Sequence, residues 1–264
     1  MPRFVRAALT AMVVAACLYV PLDWWRLHTH IYRMDVRSNA AKLVSSFLAA
    51  AIACALPAAL ALDAQDKRRF ATLFTIVAVA DSLFMLHLEP LGIGLFMIFH
   101  AVLIARNLTG MKRALDCGAV PGWGAGAALT VLAALALYAR WLLPQVREPE
   151  LRVGIPIYIC VVWASAAAAW ASVAIGYFPR RNALRMGIGM TLFLLCDLSV
   201  GCNLVWNPDG AAQVSSSSVT WMLYAPALAL IATSAYRHNT GSPAARAGIS
   251  TPTASATPMT CASR

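Results

Sequence analysis

Charge is scarce in this chain. Only 12% of its 264 residues are Asp, Glu, Lys or Arg, against roughly 25% in an average soluble domain. A water-soluble protein of this length needs a charged coat, and this sequence cannot supply one, because 60% of it is apolar. Acids are scarcer still: 11 Asp and Glu stand against 21 Lys and Arg, for a net charge of +10. There is no HExxH, no Cys-His zinc spacing, no P-loop and no GxSxG, the usual signatures of metalloprotease, zinc, nucleotide and serine-hydrolase chemistry. The seven cysteines, at 17, 54, 117, 160, 196, 202 and 261, form no CxxC and sit mostly inside apolar runs. They read as small packing residues. No metal and no cofactor is expected.

What the chain has instead is long apolar runs. A bilayer-crossing helix needs about 20 mostly apolar residues. Eight segments qualify, roughly 4–22, 41–62, 70–88, 91–109, 123–143, 153–178, 184–206 and 218–236. Barrel strands would be about 10 residues long and would alternate in polarity; these runs are longer and continuous. The expected fold is therefore all-α, a polytopic bundle of eight transmembrane helices forming one domain over residues 1–238. Charged or Pro/Gly-containing turns, such as Asp63–Arg69 and Pro179–Arg185, separate the runs. Residues 239–264 are rich in Ser, Thr, Pro and Ala, and are expected to form a disordered cytoplasmic tail. Arg3, Arg6 and the stretch Val14-Ala15-Ala16-Cys17 resemble a lipoprotein signal, but the apolar run continues to Leu22 and reads as a retained first span.

The basic excess is a topological signal. An even number of spans puts both termini on one side. That side carries 14 of the 21 basic residues, in clusters such as Lys67-Arg68-Arg69 and Arg180-Arg181, and the other side carries 7. The positive-inside rule makes the richer side, with both termini, cytoplasmic. The expected location is a cytoplasmic membrane, the bacterial inner membrane. The clusters are short and lack interleaved aromatics, so no nucleic-acid partner is expected.

Carboxylates at membrane depth are costly and need a reason. On these span boundaries only two of the 11 acids lie within spans, Asp81 in the third and Asp197 in the seventh. Each follows a boundary arginine, Arg69 or Arg185, by 12 residues. At 1.5 Å per residue both stand about 18 Å deep, near the midplane of a core about 30 Å thick. His100 is a third polar residue at mid-span, after Gly92 and Gly94 in the fourth segment. Lys42 opens the second span, where its ammonium either snorkels outward or reaches into a cleft. Asn203 lies 6 residues after Asp197, while Tyr158, Tyr224 and the tryptophans are by default belt or packing residues. Asp81, Asp197 and His100 together point to a shared pocket. Two carboxylates in a dry pocket suit general acid/base work. The same pair would serve a proton-coupled carrier of small solutes or lipid, or would merely join helices in a catalytically inactive membrane protein. The residues alone leave these open.

A family resemblance sharpens the choice. Ala80-Asp81-Ser82-Leu83-Phe84-Met85-Leu86, then Gly92-Ile93-Gly94-Leu95-Phe96 and His100, resemble the YhhN/TMEM86 family of lysoplasmalogenase-like membrane proteins. Pro156-Ile157-Tyr158 resembles that family's opening of the sixth span, and Gly187-Ile188-Gly189-Met190-Thr191-Leu192-Phe193 with Asp197 and Asn203 is similar to its seventh helix. Tyr224 falls where the last helix carries a tyrosine. The likeness runs from about 38 to 236. The sequence departs from the pattern at Lys42-Leu43, Ala80, Phe99, Cys196 and Pro226-Ala227-Leu228. The resemblance implies hydrolysis of the vinyl-ether bond of a lysoplasmalogen-type lysophospholipid to a fatty aldehyde and a glycerophospho-head-group. Asp81, Asp197 and His100 would be catalytic, and Lys42, Tyr158, Asn203 and Tyr224 substrate-binding. The implied partners are the lysophospholipid and membrane lipid; the oligomeric state is open.

Overall fold

A computed structural model of the protein describes residues 2–29, 36–57, 60–62, 64–86, 88–116, 121–146, 149–206 and 210–236. The tail expected at 239–264 lies outside the described residues. The regular structure described is helical: α1 (Arg3–His28), α2 (Val36–Cys54), α3 (Ala64–Met85), α4 (Glu89–Asn107), α5 (Met111–Asp116), α6 (Pro121–Leu137), α7 (Pro149–Ile175), α8 (Arg180–Trp206) and α9 (Gly210–Thr233). A π-helical turn, Tyr138–Leu142, and a 3₁₀ turn, Leu143–Gln145, extend α6.

Each of the eight expected apolar segments falls on one of the long helices. Five described stretches are long and apolar enough to cross a membrane: Arg3–His28, Pro90–Asn107, Arg152–Ile175, Arg180–Asn203 and Val214–Thr233. Asn39–Cys54 and Leu129–Gln145 are apolar but shorter. The helices start ahead of the apolar windows, and most end before them, α2 stopping at Cys54 where the run was expected to reach 62. The expected turns Asp63–Arg69 and Pro179–Arg185 are instead mostly first turns, because α3 begins at Ala64 and α8 at Arg180. Lys and Arg are good helix formers, and the amides of Asn182 and Ala183 bond back to the Pro179 carbonyl. The apolar run marks only the part of a helix that suits lipid; backbone hydrogen bonding carries the helix further. In the same way α1 continues past residue 22 to His28.

Seven helices close into a ring. In order around it, α1 packs on α2, α2 on α3, α3 on α4, α4 on α7, α7 on α8, α8 on α9, and α9 back on α1. Helix α6 leans on the outside of α7. The polarity of the ring is reversed relative to a soluble bundle. Leu18, Ile98, Leu129, Leu132, Leu195 and Met222 face outward, whereas Asp23, Lys42, Asp66 and Arg106 are buried. Soluble domains almost never bury such charges and rarely present a continuous apolar exterior. With the five apolar stretches, this pattern makes the chain an integral membrane protein.

Each buried charge has a partner. The Arg106 guanidinium grips Asp66 with two parallel hydrogen bonds, Nε to Oδ1 at 2.6 Å and Nη2 to Oδ2 at 2.8 Å. It lies between the Phe70 and Phe178 rings, 4.6 and 4.2 Å from their centroids. This clamp ties α3 to α4 near the expected cytoplasmic end. Helices α8 and α9 come very close at Gly189, where a Cβ would stand 2.8 Å from Ile231 and 3.2 Å from the Ala227 carbonyl. Only glycine lets α8 and α9 approach so far.

Two stability predictions follow from these contacts. Removing one partner of a buried ion pair costs about 3–5 kcal/mol, and replacing both with apolar residues costs much less. Asp66→Leu alone should therefore lower the melting temperature in detergent markedly, and the Asp66→Leu/Arg106→Met double variant should recover most of the loss. Gly189→Val should abolish folded yield by size exclusion. Gly94→Ala, where nothing lies within 4 Å of the new Cβ, should shift stability by no more than about 0.5 kcal/mol.

Candidate active site

The two carboxylates that stood out in the sequence meet inside the ring. A cavity of about 300 Å³ lies between α3, α4, α7, α8 and α9, and both Asp81 and Asp197 stand on its wall. Most of its lining is apolar, with Phe84, Phe96, Ile155, Ile159, Val162 and Leu194 among the contributors. The pocket foreseen as polar is thus an apolar chamber with a small group of polar side chains in its wall.

Each carboxylate is held by a tyrosine. Tyr224 of α9 donates from Oη to Asp81 Oδ2 at 2.8 Å. Tyr158 of α7 donates from Oη to Asp197 Oδ2 at 3.1 Å. By default these tyrosines read as belt or packing residues, and the family resemblance made them substrate-binding; both line the cavity, and their hydroxyls orient the two acids. His100 of α4 is fully buried, and its Nε2 stands 3.6 Å from Asp197 Oδ2. It sits behind Asp197 rather than on the cavity wall, packed on Phe193 and Phe99 with ring centroids 5.1 and 5.2 Å away. Neither His100 nitrogen has a hydrogen-bond partner within 3.5 Å among the described residues.

An aromatic cluster forms one end of the chamber. Phe193 meets the rings of Phe96, Phe99 and Tyr224 at 5.8, 5.5 and 5.3 Å. Such edge and offset contacts fix ring orientation, and through Tyr224 they fix Asp81. Cys196, next to Asp197 on α8, also lines the cavity. So do Gly154 and Gly201, each with open space where a side chain would point.

Two of the residues assigned to substrate lie elsewhere. Lys42 is fully buried, with Nζ 2.7 Å from Asp23 Oδ2 and donating to Ser217 Oγ at 3.0 Å. It stands off the cavity wall, one turn before Ser46 on α2. Ser218 donates to the same Asp23 oxygen at 2.6 Å, and Arg26 Nη1 lies 3.3 Å from Oδ1. The expectation that only Asp81 and Asp197 lie within the spans misses Asp23, which falls in the apolar stretch Arg3–His28; Asp66 is buried too, in the first turn of α3. Both were placed in turns because the apolar windows ended short of them. A buried lysine was the available signal for Asp23, since a buried cation demands an anion. Asn203 likewise lies off the cavity wall and accepts a hydrogen bond from Ser216.

Fold and site together define a class: a helical membrane protein with two tyrosine-held carboxylates in an apolar internal chamber. The sequence model of the YhhN family matches residues 37–235, three quarters of the chain. This protein belongs to the YhhN family. No curated protein and no solved structure matches it.

An apolar chamber in a lipid-facing ring should take up a hydrocarbon chain. Trp163 and Trp221 line it, so a lysolipid with a nitroxide on its chain should quench tryptophan fluorescence saturably. Gly154→Phe, which projects a ring into the open space, should weaken that binding by about tenfold, equivalent to about 1.4 kcal/mol. Unchanged quenching would place the chain elsewhere.

Proposed function

We propose that this protein is a membrane-embedded hydrolase that cleaves the vinyl-ether bond of lysoplasmalogen-type lysophospholipids. The products are a fatty aldehyde and a glycerophospho-head-group. One observation carries the reading: Asp81 and Asp197 stand in the wall of one apolar cavity, each held by a tyrosine hydroxyl. Membership of the YhhN family supports it.

A vinyl ether is cleaved by acid, through protonation of carbon. Asp81 gives its proton to the vinyl carbon β to the ether oxygen, and the double-bond electrons form the new C–H bond. The adjacent carbon becomes an oxocarbenium ion, stabilised by the Asp197 carboxylate across the cavity. Water attacks that carbon and yields its proton to Asp197. The resulting hemiacetal collapses: its hydroxyl returns a proton to Asp81, the bond to the glycerol oxygen breaks, and Asp197 protonates that oxygen, restoring both acids. The roles divide on one contact. Asp197 takes the role of base because His100, a second proton acceptor, stands 3.6 Å behind it. Positioned acid/base groups of this kind contribute about 10²–10⁴-fold each. The substrate's chain suits the apolar chamber. The same reading places eight spans across a cytoplasmic membrane with both termini inside, supported by the 14-to-7 split of basic residues.

The purified protein in detergent or nanodiscs should release aldehyde from a lysoplasmalogen and leave the matching ester lysolipid intact. Asp81→Asn and Asp197→Asn should each lower kcat by at least about 10² with folding unchanged. His100→Gln should lower it less. Silence of wild type and variants alike on vinyl-ether lipids would sink the hydrolase reading; pH-dependent solute flux in proteoliposomes would then favour a carrier.

A further inference from the structure

Hydrolysis consumes one water per turnover, and the chamber that holds the carboxylates is walled mainly by apolar side chains. Water has to arrive by a polar route. Lipid offers none, because polar groups in hydrocarbon lack partners.

The interface of α8 and α9 contains a run of cross-linked hydroxyls. Thr220 Oγ1 donates to Ser199 Oγ at 2.9 Å. The Ser199 and Ser216 hydroxyls stand 3.5 Å apart. Ser216 then donates to the Asn203 side-chain carbonyl. These bonds differ from those of several other helical hydroxyls. Thr75, Ser82, Thr191 and Thr233 each bond back to the carbonyl four residues earlier, the ordinary way to satisfy such a group in an apolar helix. Thr220, Ser199 and Ser216 turn across to the neighbouring helix.

The run has a direction. Asn203 is three residues from the end of α8, and Ser215 and Ser216 follow the start of α9 by less than two turns. Ser215 is exposed, Asn203, Ser216 and Ser199 are half-buried, and Thr220 is 9% exposed. Thr220 lines the cavity and stands one turn before Tyr224, which holds Asp81. The line thus descends from the rim of the bundle to the carboxylates.

We propose that Asn203, Ser216, Ser199 and Thr220 form the route by which water reaches the chamber, with Thr220 as its inner gate. The inference rests on the hydrolase reading for its purpose, but the route exists or fails independently of it. Water displaced one hydroxyl at a time finds two to four polar partners at each step, which is what a water in a protein interior requires. The route also gives Asn203 a role away from substrate.

X-ray radiolysis in ¹⁸O-labelled water followed by mass spectrometry reads the claim without substrate, because hydroxyl radicals formed from confined water oxidise the side chains beside it. In the wild-type protein Tyr224 and Cys196 should take up label. Thr220→Val, which keeps shape and removes the hydroxyl, and Ser199→Ala should lower that uptake several-fold, while Thr220→Ser keeps it. A hydroxyl run that only joined α8 to α9 would move the melting temperature and leave labelling unchanged. Equal labelling in Thr220→Val, or no labelling of the wild type, overturns the route. Labelling that follows the prediction without any aldehyde release leaves the route standing and removes the hydrolase reading. Aldehyde release with labelling indifferent to Thr220 does the reverse.

Discussion

A carboxylate at membrane depth must be met by other polar groups, and the ring of helices is organised around that need. Asp81 and Asp197 are satisfied by Tyr224, Tyr158 and His100, which come from α9, α7 and α4. No single helix could provide them. Asp66 is met by Arg106 across α3 and α4, and Asp23 by Lys42 across α1 and α2. Each buried acid thus dictates which helices must be neighbours. In water, hydrophobic burial would do this work; in lipid, where the surroundings are as apolar as the core, close packing and polar contacts take over.

The buried charges differ in what they are free to do. The Asp66–Arg106 clamp is bidentate, dry and sandwiched between Phe70 and Phe178. Its geometry is complete, and it reads as structure. Asp23 is similarly enclosed by Lys42, Ser218 and Arg26. Asp81 and Asp197 border open space instead. Their tyrosines orient them without neutralising them, so both carboxyl groups remain available to whatever enters the cavity. The proposed chemistry falls where a buried acid keeps one side open.

The helices and the central pair were legible because their signals are local. Eight apolar runs mark eight helices whatever the tertiary structure, and 12-residue offsets from Arg69 and Arg185 put Asp81 and Asp197 at one depth. The partners were not legible, because they depend on which helices adjoin. Tyr224 is 143 residues from Asp81, and nothing in the spacing distinguishes it from a belt tyrosine. Asp23 and Asp66 were hidden for another reason. Hydropathy windows end where charges begin, whereas α1 and α3 continue through those charges by backbone hydrogen bonding. Lys42 read as a boundary residue on the same grounds, although its ammonium is fully enclosed. The serines of α9 gain partners only from the tertiary structure, where α8 sets Ser199 and Asn203 opposite Ser216.

The central claim is that a buried carboxyl delivers a proton to carbon. Hydrolysis of a vinyl-ether lysolipid in D₂O, with the aldehyde trapped by immediate reduction, tests it most directly. The account predicts one deuterium per molecule on the carbon next to the former carbonyl, placed on a single face, since Asp81 is fixed on one side of the cavity. A product without deuterium at that carbon, or with both faces equally labelled, would contradict it.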